Sequence, residues 1–183
     1  MKTICVFCGA RKGQDAEIAK ITFKIGQEIA KNGINIICGG SDCGLMGVVT
    51  DGVLSAGGQV IGVFPAILND IEVPHARITS LLRTNCLPSR KQKMVDLSDA
   101  FLILPGGYGT LDEIFEIVVL RRLKANLKPI ILFNYNGFYD FTLKQIDRMV
   151  REGFIGEDEA SLFTVVDDFE SLKLFFERAY ENN

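Results

Sequence analysis

Two side chains in this sequence stand where charge can act on a bound anion. Glu113 ends Pro105-Gly106-Gly107-Tyr108-Gly109-Thr110-Leu111-Asp112-Glu113, and Arg90 opens Arg90-Lys91-Gln92-Lys93-Met94. The first stretch lies between an uninterrupted apolar run, Ala100 to Leu104, and an apolar-rich run, Ile114 to Leu123, that lacks Gly and Pro. That order predicts a buried parallel strand, a glycine loop and a helix. Gly106, Gly107 and Gly109 let backbone N–H groups converge on a ligand without side chains in the way. The helix start adds unpaired donors and a partial positive charge. Together they form an anion site, most often for phosphate, with Glu113 one turn inside the helix beside it.

Each residue also has a plainer reading. Thr110-x-x-Glu113 has the spacing of a capping box, with Thr110 as N-cap and Glu113 reaching back to it. Asp112 then falls at helix position two, where an acid is favoured anyway. Glu116, one turn on, shares the face of Glu113. Ser89-Arg90-Lys91-Gln92 is a second box of the same kind, which puts Arg90 and Lys91 in a first helical turn. Cations there oppose the helix dipole, and a bound anion offsets that placement.

The elements that position these groups alternate along the chain. Strands are predicted at Ile4–Phe7, Ile34–Cys38, Gln59–Val63, Ala100–Leu104, Ile130–Phe133 and Leu162–Val166. Helices are predicted at Asp15–Lys31, from the loop Gly39-Gly40-Ser41-Asp42-Cys43-Gly44-Leu45-Met46-Gly47 to about Ala56, at Ser89–Leu97, Thr110–Leu123, Tyr139–Arg151 and Phe169–Tyr180. Phe64 to Cys86, with Pro65 and Pro74, reads as irregular and mobile, with a short strand at Leu81-Leu82. This pattern predicts an α/β fold: one doubly wound, Rossmann-like domain over residues 1–183, its sheet mostly parallel and helices on both faces. In such a sheet the loops leaving the strands share one rim. Gly9, the loop at Gly39-Gly40, the loop at Gly106-Gly107 and the helix start at Arg90 meet there.

Bulk properties exclude several classes. The chain has 183 residues, 48% of them hydrophobic, and a net charge of −3. It carries neither the bulk positive charge of a nucleic-acid binder nor an apolar run long enough to cross a membrane. Met1 to Gly9 is too short in its apolar part for a signal peptide and reads as the first strand of a cytoplasmic protein. Five cysteines and one histidine form no metal-ligand spacing, and the cysteines read as reduced, mostly buried thiols. Cys5-x-x-Cys8 lies within a strand and not at a helix start, so it is a poor redox motif. Gly39 to Gly44 lacks the Lys-Ser/Thr of a Walker A loop, and neither loop has G-x-G-x-x-G. His75 has no G-x-S-x-G partner for a hydrolase triad. A mononucleotide or sugar phosphate remains as the ligand.

At this point the sequence resembles the LONELY GUY (LOG) family of cytokinin riboside 5′-monophosphate phosphoribohydrolases, once widely labelled lysine decarboxylases. Pro105-Gly106-Gly107-x-Gly109-Thr110-x-x-Glu113 matches that family's P-G-G-x-G-T-x-x-E, and Arg90-Lys91-x-x-Met94 its R-K-x-x-M. Gly39-Gly40-x-x-x-Gly44-Leu45-Met46-Gly47 matches its second glycine loop, and Val6-Phe7-Cys8-Gly9 its first strand. The resemblance implies cleavage of the N-glycosidic bond of a nucleoside 5′-monophosphate; given the departures named below, we expect AMP first and prenylated cytokinin nucleotides second. It implies Arg90 and Glu113 as the catalytic pair. Substrate contacts would come from Gly9, Gly39, Gly40, Ser41, Gly44, Met46, Lys91, Gly106, Gly107, Gly109, Thr110 and Glu116, with no metal or organic cofactor. The sequence departs from the family at Ser41, where a third glycine is usual, and at Leu87-Pro88-Ser89, which replaces M-H-E. Leu120 stands for a frequent Trp and Asn126 for a frequent His. These changes bear on base selectivity. The helix Thr110–Leu123 is apolar nearly all round, which predicts burial on two sides. One side would meet the sheet and the other a second subunit, as in the family's dimers. The alternative is a binding protein of the same fold, such as a molybdenum-cofactor carrier, that holds its ligand without cleaving it.

Overall fold

Seven strands pair side by side in the order β4-β3-β2-β1-β5-β6-β7, and every pairing is parallel. The computed structural model describes residues 1–181. The strands are β1 (Thr3–Phe7), β2 (Asn35–Cys38), β3 (Val60–Pro65), β4 (Ser80–Thr84), β5 (Ala100–Ile103), β6 (Ile130–Phe133) and β7 (Thr164–Val166). The α-helices are α1 (Ala16–Lys31), α2 (Gly44–Ser55), α3 (Leu87–Leu97), α4 (Tyr108–Arg122), α5 (Asp140–Arg151), α6 (Glu157–Ala160) and α7 (Phe169–Glu181). The doubly wound expectation holds.

Side chains on successive strand residues point to opposite faces, so each central strand feeds two cores. Ile4 and Val6 of β1 join Ile36, Leu102 and the helices α1, α2 and α7 through Ile25, Val49 and Phe176. Cys5 and Phe7 join Phe101, Ile103 and the helices α3 and α4 through Met94, Ile114 and Ile117. Burial on both faces is why these strands read as continuous apolar runs and not as alternating ones.

The strand order reverses at β1, with β2 on one side and β5 on the other. There the chain leaves β1 and β5 for helices on opposite faces, and a cleft opens at the carboxyl rim. Phe64–Cys86 is more ordered than its composition suggests. β3 runs on to Pro65, and β4 is a five-residue edge strand. Between them the chain is clamped to the loop after β2. Asp42 N–H donates to Val73 O (3.1 Å), His75 N–H donates to Gly40 O (2.9 Å), and Ser41 bridges Pro74. Buried His75 adds Nε2 to Asp51 Oδ1 at 3.1 Å, and Asp51 also pairs with Arg77. Long-range bonds of this kind leave no trace in local propensity.

The helix α1 crosses α2 at glycines. A Cβ on Gly26 would strike the Val49 carbonyl oxygen, and one on Gly52 the Phe23 carbonyl oxygen. Backbone atoms cannot swing aside as a flexible side chain can, so the crossing tolerates no added methyl. Gly26→Ala is expected to destabilise the fold by about 1–3 kcal/mol. Thermal unfolding would show this as a loss of several degrees in Tm, and an unchanged Tm would mean the two helices separate freely.

Candidate active site

Backbone hydrogen bonds hold the strand ends around the cleft in register. Gly9 N–H donates to Pro105 O (3.0 Å), joining the loops after β1 and β5. Leu45 N–H donates to Gly9 O (2.9 Å), joining the start of α2 to them. Gly44 has φ +58° and lies so close to Ala10 that a Cβ would meet that residue's backbone. From below, the buried Tyr139 hydroxyl donates to Leu104 O at 2.7 Å. The result is a cleft of about 720 Å³ lined by residues that include Gly9, Met46, Arg90, Gly106, Thr110 and Glu113.

Both expected capping boxes are displaced by three residues. The N-cap of α4 is Gly107, without a side-chain bond, and Leu111 N–H donates to Gly107 O at 3.0 Å. Thr110 is therefore the third helical residue, and its hydroxyl lies against Gly106. Asp112 is fifth and Glu113 sixth, too far along for Glu113 to reach back to the cap. The capping alternative for Glu113 falls away. In α3 the N-cap is Cys86, and Ser89 is not the cap but the residue reaching back to it. Cys86 N–H donates to Ser89 Oγ at 3.2 Å. Pro88 explains the earlier start: proline lacks the N–H that a first turn leaves unpaired. Arg90 thus sits fourth in α3, just past the first turn.

Glu113 and Arg90 face the cleft with no hydrogen-bonded or ion-paired side-chain partner within 4.0 Å among the described residues. Arg90 Nε is buried and unpaired. Its guanidinium lies over Gly39, where a Cβ would collide with Nη2 and sit 2.6 Å from Met46 Sδ. The absence of a side chain at Gly39 is what admits the arginine. Burial pushes the Glu113 carboxyl up to about 7. Arg90 and Lys91 pull it down, and Asp112 and Glu116 push it further up. A carboxylate and a guanidinium aimed into one cleft, close enough to feel each other yet unpaired, are poised for a ligand between them.

The other expected contacts divide. Gly106, Gly107, Gly109 and Thr110 line the cleft, and so do Gly9 and Met46. Gly39, Gly40, Ser41 and Gly44 are not on its surface. Gly39 supports Arg90, Gly40 approaches Gly62, and buried Ser41 spends its hydroxyl on Cys43 N–H at 3.1 Å. Lys91 and Glu116 do not line it either; they pair with each other at 2.6 Å, and Lys91 also holds Asp112 at 3.0 Å. Sequence reasoning missed Arg11, Lys12, Leu68, Glu72 and Phe138, all of which line the cleft, as does Leu87, the start of the departure at Leu87-Pro88-Ser89. Arg11 and Lys12 were legible, because they follow the first strand at the switch point. Leu68, Glu72 and Phe138 were not, because only the tertiary clamp and the turn after β6 bring them in. Among the described residues no group of three His, Cys, Asp or Glu side chains forms a metal site, and no helix is long and apolar enough to cross a membrane.

Fold and site together define an α/β protein whose carboxyl rim carries a glycine-rich helix start beside a carboxyl and a guanidinium that face one cleft. A family model described as "Possible lysine decarboxylase" matches residues 46–173. A protein of Oryza sativa subsp. japonica named a probable cytokinin riboside 5′-monophosphate phosphoribohydrolase is 37% identical over 171 residues, 93% of this chain and 75% of that protein. One of Arabidopsis thaliana, named without "probable", is 36% identical over 162 residues, 88% of this chain and 71% of that one. The chain therefore belongs to this family, which includes the LOG phosphoribohydrolases. Among solved structures, the molybdenum cofactor carrier protein of Chlamydomonas reinhardtii matches with a TM-score of 0.72 at 20% identity, over 100% of this chain and 99% of that one. The molybdenum cofactor binding protein of Rippkaea orientalis matches with a TM-score of 0.70 at 23% identity, over 98% of each chain. At these identities the likeness is one of fold.

The raised Glu113 carboxyl has a consequence for stability. In the unfolded chain it titrates near 4.5, in the folded protein at about 7. Its contribution is fully present below the lower value and is lost as pH climbs through the upper one, because the folded state disfavours the charged form. Gln does not ionise. Glu113→Gln is therefore expected to leave Tm unchanged at pH 4 and to raise it by about 2 °C or more at pH 8.5. Equal Tm at both pH values would show a carboxylate fully solvated in the folded state.

Proposed function

We propose that this protein hydrolyses the N-glycosidic bond of nucleoside 5′-monophosphates, AMP and cytokinin riboside 5′-monophosphates among them. The products are the free base and ribose 5-phosphate. The observation that carries the reading is the unpaired pair, Glu113 and Arg90, in one cleft with the glycine-rich start of α4. The phosphate would sit against the N–H groups of that start, with Thr110 beside it and Arg11 and Lys12 at the rim. Cleavage builds positive charge on the ribose. The Glu113 carboxylate would stabilise that charge and orient or deprotonate the attacking water. A carboxyl titrating near 7 is matched to such proton transfer at neutral pH. Arg90 would anchor the nucleotide or assist departure of the base. Leu68, Leu87 and Phe138 offer apolar walls to a flat ring.

The family description names a different chemistry, decarboxylation of lysine, which by the pyridoxal route would need a reactive lysine of the protein to hold that cofactor. A lysine for that purpose needs a lowered pKa. Lys91, the lysine beside Arg90, has its pKa raised, because its hydrogen bonds to Glu116 and Asp112 outweigh its partial burial. That supports the glycosidase reading.

Purified protein incubated with AMP is expected to release adenine and ribose 5-phosphate, detected by chromatography. Glu113→Gln should lower kcat by about 10²–10⁴-fold with nucleotide binding retained. Nucleotide binding without release of base from AMP, other nucleoside monophosphates or a prenylated AMP would instead mark a carrier.

The outward side of α4 favours a homodimer. Its inner side, with Thr110, Ile114 and Ile117, is buried, whereas Phe115, Val119 and Leu123 form an i, i+4, i+8 stripe that is 40%, 46% and 64% exposed. A contiguous apolar stripe on a helix is a contact surface for a partner, and we assign it to a second copy. Light scattering after size exclusion is expected to give twice the 20.2 kDa chain mass. Val119→Asp/Leu123→Asp is expected to give the single mass with helical content intact, and a monomeric wild type at micromolar concentration would refute the assignment. Cytoplasmic placement fits the five free cysteines, three of them buried.

A further inference from the structure

The Arg90-Lys91 dipeptide sends two cations toward α4, and they have different destinations. Arg90 turns into the cleft. Lys91 turns away, its side chain 18% exposed, and bridges Asp112 Oδ2 at 3.0 Å and Glu116 Oε2 at 2.6 Å. Those carboxylates are one residue before and three residues after Glu113. They are also i and i+4 to each other, a like-charge pair that destabilises a helix unless a cation sits between them. The helices α3 and α4 lie on the same face of the sheet in one apolar cluster, through Met94 and Val95 on one and Ile114 and Ile117 on the other. Among the described residues, this bridge is the only ion pair between the two helices.

We propose that Lys91 is a positioning residue: by bridging Asp112 and Glu116 it holds α3 against α4, so that Arg90 and Glu113 meet across the cleft, and it neutralises the two carboxylates flanking Glu113. This rests on the phosphoribohydrolase reading for the meaning of the pair, but not for the bridge itself. The strongest charges on Glu113 come from four groups, with Arg11, Lys12 and Glu72 also on the cleft wall. From α3 come Arg90 and Lys91, which favour its ionised form; from α4 come Asp112 and Glu116, which oppose it. Cys5 on β1, Cys8 just after it, Cys38 on β2 and Tyr139 at the start of α5 also lie near this region. Burial raises all four above their ordinary values, so they remain neutral through the working pH range. Without Lys91, two uncompensated negative charges remain beside a third group that must ionise.

The test is a pair of titrations. In wild type the acid limb of the kcat profile is expected near pH 7, with the ¹³C shift of the Glu113 carboxyl, assigned by its loss in Glu113→Gln, following the same midpoint. Lys91→Met should move both midpoints up by about 0.5–1 unit. Lys91→Arg should keep the wild-type midpoint. The triple variant Lys91→Met/Asp112→Asn/Glu116→Gln, which removes the cation together with both carboxylates, should bring the midpoint back. A lysine with only a packing role would lower kcat at every pH and leave both midpoints in place in Lys91→Met, and that result would overturn the proposal. Should the wild type release no base at all, the enzyme reading fails, and the carboxyl titration still decides the role of Lys91.

Discussion

The structure depends on a half-buried carboxyl that stands in the cleft without an ion-pair partner. An ionised group in that position is costly, and proteins ordinarily relieve the cost by pairing or by neutralising the group. Here Glu113 is left half neutralised near physiological pH, with Arg90 within electrostatic reach but not in contact. The surroundings explain why this persists. Gly39 makes room for the guanidinium, the Gly9–Pro105 bond holds the two strand ends together, and α4 begins at a glycine with no side chain to close off the entry. The strain of an unsatisfied pair is confined to the one place where a ligand can relieve it.

Most of the architecture was legible in the sequence. Apolar runs buried on two faces, separated by glycine loops and amphipathic helices, leave few alternatives to a doubly wound sheet. The helix α1, capped by Asp15 through Glu17 N–H, begins within one residue of its predicted start. The two helices nearest the chemistry are where local rules failed, and both failed in the same way. Ser89 and Thr110 each read as an N-cap, and each is the third helical residue. A capping box has a polar residue at either end, so spacing alone leaves its register open by three. In α3, Pro88 carried the deciding information. In α4 the cap is a glycine, Gly107, which signals only weakly.

That shift of one helical turn changes the meaning of every charged residue downstream. With Thr110 as N-cap, Glu113 is a structural acid and Asp112 a dipole partner. With Gly107 as N-cap, Glu113 looks into the cleft, and Asp112 and Glu116 turn together toward Lys91. Motif matching grouped Arg90, Lys91, Glu113 and Glu116 as one ligand-binding set. Helical geometry sorts them into a pair that faces the cleft and an ionic bridge behind it. Residues contributed by the clamp between β3 and β4 lie beyond any local rule, because the bonds that bring them in run to a loop some thirty residues earlier in the chain.

That clamp has an evolutionary consequence. It is fastened mainly through backbone atoms, at Asp42 with Val73 and at Gly40 with His75. Backbone bonds are indifferent to the side chains carried nearby. Leu68 and Glu72 can therefore be exchanged while the chain path, the strand ends and the charged pair stay as they are. If this wall meets the base, as proposed, a lineage could drift from one nucleobase to another by editing a short segment, and the charged pair need not change with it.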